Sequence, residues 1–315
     1  MKQRTIKTTY SFEGKGLHSG CLSHMTLTPA PDDTGVVFVR TDLGLEVQAA
    51  AGNVSSTSRS TTISKGKASV STIEHLMSAI TGLGIDNIRI EIDNKEVPIL
   101  DGSARQYVEA IMKDGLQEQD SERRWIEIDK EIELKNESTG SYIRIVPSDR
   151  PEYEVTIDFN SKVLGIQTVT LDLENDDYAV EVAPCRTFCF FHEIQLLATL
   201  GLVKGGDVEN AIVVVEKPVS ERQIARMARR FNQPELKVTP EGYFSNLTLR
   251  FPDECGRHKL LDLIGDLRLS GGFLKAKVIA YKPGHSINTG MAKKIEKITK
   301  EKLHCRANDN GDDCK

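Results

Sequence analysis

Apolar residues recur along the chain with two different periods, and each period predicts a kind of element. Where every second residue is apolar, as in NIRIEI at residues 87–92, the pattern predicts a β-strand with one buried face. Further runs of this kind are TIKTTYSF, HMTLTP, GVVFVR, WIEIDKEIEL, YIRIVP, YEVTIDF, QTVTLDL and FLKAKVIAY. Apolar spacings of three and four predict helices at about residues 72–81 and 103–112, after Thr187, and over RHKLLDLIGDL at residues 257–267.

The order of these elements predicts two domains of mixed structure. Strands are followed by helices in each half of the chain, which favours the α+β class. The polar string QEQDSERR is the best boundary, so we expect domains at residues 1–122 and 123–300 and a polar flexible tail at 301–315. Each half contains a histidine, His75 or His258, at the head of a helix that runs to a glycine and then a strand. This echo suggests two similarly folded domains with a site between them.

The helix predicted over RHKLLDLIGDL carries a polar stripe on an apolar body. His258, Asp262 and Asp266 follow one another at a spacing of four and therefore share one face. Buried ionisable groups need a partner, and a divalent cation keeps aspartate charged and histidine neutral. The stripe thus predicts a metal-ligand pair, His258 and Asp262, with an ordinary surface pair as the alternative interpretation.

Glu74 and His75 offer one more ligand with a base beside it, at the start of another predicted helix. Two histidines and one aspartate leave a fourth tetrahedral position open for water, which is typical of a catalytic zinc site. Glu74 could then accept the proton of that water. His285 follows Pro283-Gly284 on a tight loop at a strand end, where catalytic groups are often displayed, although such a histidine is more often an ordinary turn residue.

Composition limits the classes of protein that fit. The chain has 315 residues and a net charge of -5 at pH 7, which argues against a nucleic-acid binder. No stretch resembles a signal peptide or a membrane span, so we expect a cytoplasmic protein without an integral membrane segment. The six cysteines lack paired CxxC motifs, which disfavours a structural zinc ribbon or a disulfide framework.

Seven segments carry a resemblance to a known family: GKGLHSG (14–20), STIEHLMSAITGLGIDN (71–87), VPILDGSA (97–104), CRTFCF (185–190), KGGDVENAIVV (204–214), RHKLLDLIGDL (257–267) and KPGHSIN (282–288). In order and spacing they resemble the UDP-3-O-acyl-N-acetylglucosamine deacetylases, from about residue 2 to 298. The resemblance implies two two-layer α/β sandwich domains with the active site at their interface. It also implies a zinc-dependent amidase that releases acetate from a UDP-linked, 3-O-acylated N-acetylglucosamine in the committed step of lipid A biosynthesis.

The resemblance implies roles for individual residues. The residues that match the family's zinc ligands are His75, His258 and Asp262, for one Zn²⁺ per chain with Fe²⁺ as the alternative. Glu74 matches the general base and His285 the general acid, whose imidazole is paired with Asp266. Lys259 and Thr187 match the residues that face the developing oxyanion.

The resemblance also places the acyl chain of the substrate in an apolar channel. The channel residues would be Phe188, Phe191, Ile194, Val203 and Val208. The dense apolar stretch FCFFHEIQLLATLGL agrees with a channel, but an ordinary core-facing helix is the alternative. Phe159 matches an aromatic residue that stacks on the uridine base, although Ser161-Lys162 stands where many relatives have His-Pro.

A segment between Val214 and Arg257, including SERQIARMARRFNQPELKV, is an insertion relative to many family members. Ser220 is an N-cap candidate, and the apolar spacing of Ile224 and Met227 predicts an amphipathic helix. Its arginines could meet an acidic partner or form a solvated face. The insertion resembles a subgroup whose chains often continue into a 3-hydroxyacyl-carrier-protein dehydratase domain, which we do not expect here.

Two other functions stay open at this point. A non-haem iron oxygenase also uses two histidines and one carboxylate, but it needs no adjacent Glu base, His acid and oxyanion Lys. A non-catalytic lipid or nucleotide-sugar binding protein should lack at least one of these catalytic residues, and none is missing. We therefore expect an enzyme, monomeric, acting on a UDP-linked acylated glucosamine. The sequence sets neither the acyl-chain length nor the choice between zinc and iron.

Overall fold

The computed structural model describes residues 1–194, 210–230 and 233–309. Helices and strands alternate in both halves of the chain around two main sheets, which confirms the predicted α+β class. In the described part of the chain, no helix has both the length and the apolar character needed to cross a membrane.

The first main sheet and its helices come from the N-terminal half. Its strands are β2 (Tyr10–Lys15), β3 (Leu22–Pro29), β4 (Val36–Arg40), β5 (Leu45–Gln48) and β9 (Ile88–Ile92). They lie in the order β2-β3-β9-β4-β5, and β4 and β9 are parallel. A small three-stranded sheet precedes the first helix and consists of β6 (Val54–Ser56), β7 (Thr62–Lys65) and β8 (Ala68–Ser71). The two helices of this half are α1 (Glu74–Gly82) and α2 (Arg105–Asp114).

The second main sheet comes from the C-terminal half. Its strands are β11 (Trp125–Glu127), β12 (Ile132–Asn136), β13 (Ser141–Pro147), β14 (Glu152–Asp158), β15 (Ile166–Asp172) and β18 (Phe273–Tyr281). They lie in the order β12-β13-β18-β14-β15, and β11 also pairs with β18. The helices of this half, within the residues that the structure describes, include α3 (Tyr178–Glu181), α4 (Glu221–Arg230), α5 (Glu254–Leu267) and α6 (His285–Asp309). Residues 191–194 are also helical.

Two pairs of strands complete the fold. β1 (Lys2–Ile6) pairs in antiparallel fashion with β10 (Leu116–Glu122), and β16 (Phe188–Phe190) pairs in parallel with β17 (Ile212–Val214). The polar string taken as a domain boundary is therefore mostly a strand. Its backbone groups pair with β1, so a sequence of exposed polar side chains still forms regular structure.

The C-terminal end of the chain corrects one prediction. The flexible tail expected from residue 301 is wrong for residues 301–309, which continue α6 as far as Asp309. No glycine or proline interrupts this stretch, and a helix already packed at its start extends at low cost. His285 is the first residue of α6 and not only part of a loop. The buried residues Ile287, Met291 and Ile295 recur at a spacing of four and carried the missed signal.

Helices α1 and α5 pack against each other in the middle of the molecule. Every residue of α1 from Glu74 to Thr81 is buried, and one continuous apolar core includes residues of both sheets. A smaller apolar cluster, here called the satellite cluster, consists of Phe191, Ile194, Val213, Val215, Met227, Ala228, Leu236 and Phe244.

Candidate active site

The crossing of α1 and α5 brings together residues from the two halves of the chain. Glu74 and His75 lie in the first turn of α1, and α5 carries His258 and Asp262. At the crossing, a Cβ atom on Gly265 would lie 2.1 Å from the carbonyl oxygen of Glu74. Real side chains do not tolerate such a contact with backbone, so the absence of a side chain at Gly265 sets how closely the helices approach.

Three side-chain atoms converge between these helices. The distance to Oδ1 of Asp262 is 3.6 Å from Nε2 of His75 and 3.5 Å from Nε2 of His258. All three atoms lie within 4.8 Å of one another. Oδ1 of Asp262 is buried and has no hydrogen-bond partner, which is unfavourable unless another group binds it. Two imidazoles and an unsatisfied carboxylate oxygen fit a divalent metal ion.

Neighbouring groups bind the remaining atoms of these ligands. Nδ1 of His258 donates to the carbonyl oxygen of Cys185 at 3.1 Å, which leaves Nε2 with a free lone pair. The ammonium group of Lys259 donates to Oδ2 of Asp262 at 2.8 Å. Oδ1 of Asp262 is therefore the oxygen that stays available for a metal.

Burial and charge favour the protonation states that a metal site needs. Burial lowers the pKa of both imidazoles, to about 3 for His75, where the nearby His258 adds to the effect. Burial alone would raise the pKa of Asp262, but Lys259 and then His258 outweigh it and hold that pKa well below its usual range. Neutral imidazole and charged carboxylate are the forms that bind metals.

A second group of hydrogen-bonded residues lies beside the metal ligands. Thr61 donates from its amide to Oε2 of Glu74 at 3.0 Å and from its hydroxyl to Oδ1 of Asp266 at 2.5 Å. Oδ2 of Asp266 accepts from Nδ1 of His285 at 3.0 Å and from the Asn288 amide at 2.9 Å. Nε2 of His285 lies 3.8 Å from Oε1 of Glu74. The residues predicted as base, acid and partner of the acid thus form one connected group.

Glu74 and His285 both have pKa values shifted toward the neutral to alkaline range. Burial raises the pKa of Glu74 to about 8, although the His285 charge opposes the shift. Burial would lower the pKa of His285, but the carboxylates of Asp266 and Glu74 raise it to about 9. A pKa in this range favours the charged imidazole of His285 at neutral pH.

A cavity of about 290 Å³ opens over these residues. Its ionisable lining residues are Glu74, His75, His258, Lys259, Asp262 and His285, together with His18, Arg59 and Glu193. Its apolar lining residues are Leu17, Phe188, Ile194 and Ala211, beside Thr187 and Cys189. The cavity therefore offers both ionisable groups and room for an apolar group.

The residues predicted to contact substrate fall into four groups. Phe188 and Ile194 line the cavity. Phe191 does not, since its side chain packs in the satellite cluster with its ring 5.0 Å from that of Phe244. Phe159 is 41% exposed, and its ring lies 5.5 Å from that of Phe188. Val203 and Val208 lie outside the described residues.

Four residues at or beside the site were not singled out from the sequence: Thr61, His18, Glu96 and Thr72. Thr61 is joined to Asp266 only by the fold. His18 lines the cavity, and its amide donates to Oε1 of Glu96 at 2.8 Å. Glu96 also accepts from the Thr72 hydroxyl at 2.9 Å, and Thr72 holds a positive φ of 58° just before α1. The Glu96 carboxylate thus ties the His18 loop to the start of α1.

Comparison with known proteins gives a consistent result. The family model described as UDP-3-O-acyl N-acetylglycosamine deacetylase matches residues 3–233 and 234–297. A bifunctional enzyme LpxC/FabZ of Bacteroides thetaiotaomicron is 41% identical over 94% of this chain, and one of Chlorobaculum tepidum is 39% identical over 94%. The chain spans 65% and 64% of the length of these two relatives.

A shorter relative matches over most of both chains. The UDP-3-O-acyl-N-acetylglucosamine deacetylase of Helicobacter hepaticus is 40% identical over 94% of this chain and 90% of its own length. The matched regions contain both parts of the site, on α1 and on α5. Because the similarity covers most of this chain and of the Helicobacter hepaticus relative, the chain belongs to the UDP-3-O-acyl-N-acetylglucosamine deacetylase family of enzymes.

Proposed function

We propose that the protein hydrolyses the acetamide of a UDP-linked 3-O-acyl-N-acetylglucosamine and releases acetate, as a step of lipid A biosynthesis. The observation that carries this proposal is the convergence of His75, His258 and Asp262 beside Glu74 and His285 in one cavity. The names of the relatives support the choice of substrate.

The metal in this proposal is one divalent ion per chain, Zn²⁺ in preference to Fe²⁺, held by His75, His258 and Asp262. When bound, it supplies Lewis acidity toward the amide carbonyl and the attacking water. Lys259 neutralises the outer oxygen of Asp262, and the Cys185 carbonyl fixes the orientation of the His258 ring.

Proton transfer is assigned to Glu74 and His285. Oε2 of Glu74 is occupied by the Thr61 amide, so Oε1 is the oxygen that accepts a proton from the attacking water. His285 then donates a proton to the nitrogen of the leaving amine, which is a poor leaving group without it. Asp266 keeps this imidazole oriented and charged. Glu74 is adjacent to a metal ligand in sequence, so base and ligand share one rigid helix turn.

The rest of the cavity is assigned to charge stabilisation and to the acyl chain. The ammonium of Lys259 and the hydroxyl of Thr187 are assigned to face the developing oxyanion. Fixed donors stabilise such a charge most strongly where bulk water is excluded. The wall that contains Phe188 and Ile194 is assigned to the acyl chain, and Phe159 to the uridine base. An iron oxygenase would use the same ligand set but has no role for Glu74 and a protonated His285.

Metal content and acetate release in single variants test the proposal. His258→Ala removes a ligand and should lose most bound metal and nearly all activity. Glu74→Gln keeps an oxygen for the Thr61 amide, so it should keep the metal and lose at least about 100-fold in kcat. His24→Ala changes an exposed histidine away from the cavity and should alter neither metal content nor acetate release. Equal metal loss in the first two variants, or oxygen consumption without acetate release, would contradict the proposal.

A further inference from the structure

The arginines of α4 differ from most arginines in the rest of the described structure. Most other arginines contact a carboxylate, as in the pairs Arg40–Asp42, Arg89–Glu46 and Arg150–Asp172. In contrast, Arg222, Arg226 and Arg229 are exposed and form no ion pair with a described residue. The side chain of Arg229 donates only to the carbonyl of Ala225, at 3.3 Å. We call these three residues the arginine stripe.

The arginine stripe occupies one face of a helix whose opposite face is fixed. Spacings of four and three place Arg222, Arg226 and Arg229 on the same side of α4. On the other side, Met227 and Ala228 are buried in the satellite cluster. The stripe must therefore face outward, because rotating α4 would expose its apolar anchors.

The start of α4 is well defined, so the stripe has a rigid support. Gln223 donates from its amide to the Ser220 hydroxyl at 3.4 Å, and its side-chain oxygen accepts from the Ser220 amide at 2.9 Å. This reciprocal pair is a capping box and confirms Ser220 as the N-cap. Like charges at a spacing of four destabilise a helix, so Arg222 and Arg226 gain from an external anion that screens their repulsion.

The cluster that anchors α4 also reaches the cavity of the candidate site. Ile194 belongs both to the satellite cluster that holds α4 and to the apolar lining of the cavity. The chain as a whole carries a net charge of -5, so the stripe is a local basic surface on an acidic protein. An anionic partner would therefore be attracted to this face in particular.

We propose that the arginine stripe docks the protein on an anionic lipid surface, with α4 lying on that surface and not inserted into it. Among the described side chains of α4, the other exposed ones are Glu221, Gln223 and Ala225, and none of these is an aromatic or large apolar anchor of the kind that protein interfaces use. A diffuse anionic surface needs no such anchor. The proposal rests on the proposed function in one respect: a substrate with an acyl chain is an amphiphile and collects at lipid surfaces.

Co-sedimentation of the full chain with lipid vesicles tests the proposal. Wild-type protein should bind vesicles that contain phosphatidylglycerol and not vesicles of phosphatidylcholine alone, and high salt should release it. The triple variant Arg222→Glu/Arg226→Glu/Arg229→Glu should lose about 100-fold or more in partition, because each basic residue near such a surface contributes about fivefold. If that variant fails to fold, the corresponding triple Gln variant should show the same loss.

A matched control separates the stripe from net charge. Lys65→Glu/Lys67→Glu/Lys113→Glu makes the same change in charge at exposed lysines of the N-terminal half and should keep vesicle binding. Equal losses in both triple variants, or no preference of the wild type for phosphatidylglycerol, would overturn the proposal. An acidic protein would then be the alternative partner of the arginine stripe. Acetate release from detergent-dispersed substrate should be unchanged in the stripe variant. Failure of the deacetylase assay in wild type would contradict the proposed function without affecting the vesicle result.

Discussion

Thr61 donates one hydrogen bond to Glu74 and another to Asp266, through its amide and its hydroxyl. Spacing in the sequence was enough to predict that His258, Asp262 and Asp266 share a helix face, because that relation is local. The contact of Thr61 with Asp266 joins distant parts of the chain and has no local pattern. The same limit explains why the roles of Glu96 and Thr72 at the start of α1 were not predicted. The assigned catalytic roles themselves stay predictions.

The pH dependence of activity tests the pairing of His285 with Asp266. His285 acts as an acid only when protonated, so activity should fall as the pH rises through its pKa of about 9. Asp266→Asn removes a negative charge that raises this pKa, so the alkaline limb of kcat/KM should move to lower pH, by about one unit or more. Glu74 acts when deprotonated, so the acid limb should lie below about 8, because a bound cation lowers the Glu74 pKa further.

Asn288 provides the control for this experiment. Its amide donates to Oδ2 of Asp266 but carries no charge. Asn288→Ala should therefore leave the alkaline limb near its wild-type position. If Asp266→Asn also leaves the limb in place, Asp266 does not set the protonation of His285.

The two central helices were predicted as elements that supply ligands to one site, but the close contact of their backbones was not predicted. Apolar periodicity located α1 and α5 to within a few residues. It could not show that Gly265 meets the backbone of Glu74, since a glycine inside a helix pattern gives no indication of its neighbours. Helix α6 was not predicted either, although its buried residues Ile287, Met291 and Ile295 recur at a helical spacing of four.

Substitution at the helix crossing should disturb the site without changing any of its side chains. Gly265→Ala places a methyl group where the Glu74 carbonyl now lies, so α1 and α5 must separate. We expect a loss of about 2–3 kcal/mol in the free energy of unfolding, together with weaker metal binding. Denaturant unfolding and a metal titration measure the two effects. Gly52→Ala is the control, because the nearest atom to a Cβ at Gly52 would be 3.8 Å away, and it should change neither stability nor metal binding. Wild-type stability and metal binding in Gly265→Ala would mean that the helices can adjust to the methyl group.

Ile194 has two structural roles, which changes what a substitution there should do. Because it lies in the satellite cluster as well as on the cavity wall, Ile194→Gln should lower stability by about 2 kcal/mol. It should also weaken binding of the acylated substrate relative to a chain-free analogue, since each buried methylene contributes about 0.8 kcal/mol. Val213→Thr in the same cluster should lower stability alone, because Val213 does not line the cavity. If both variants discriminate equally between the acylated substrate and the chain-free analogue, the acyl chain does not bind at Ile194.

At the scale of the whole molecule, the α+β class and most strands followed from residue patterns. The strands of the two main sheets were predictable because one face of each is buried, which leaves an alternating pattern. β10 was not predicted as a strand because its side chains are polar and its order depends on pairing with β1. The division into domains at residues 122 and 123 stays a prediction, and a single core includes both halves.

Removal of the metal should weaken the whole fold and not only the site. An ion that binds the folded chain alone stabilises it by about 4 kcal/mol when present at a thousand times its dissociation constant. For a chain of this size, we expect a chelator to lower Tm by roughly 5–10 °C in scanning calorimetry. His258→Ala should have a low Tm that does not respond to the chelator. A similar response in wild type and variant would show that the ligands do not couple metal binding to folding.

The packing of α1 between the halves also has a consequence for synthesis of the chain. Every residue of α1 from Glu74 to Thr81 is buried in the finished protein, and part of that cover is α5. A ribosome that adds about 5–20 residues per second needs roughly 10–40 s to proceed from residue 82 to residue 267. During that interval the apolar side of α1 has no partner from the C-terminal half. The nascent N-terminal half therefore keeps part of the apolar surface of α1 uncovered until α5 leaves the ribosome, and such surface favours aggregation.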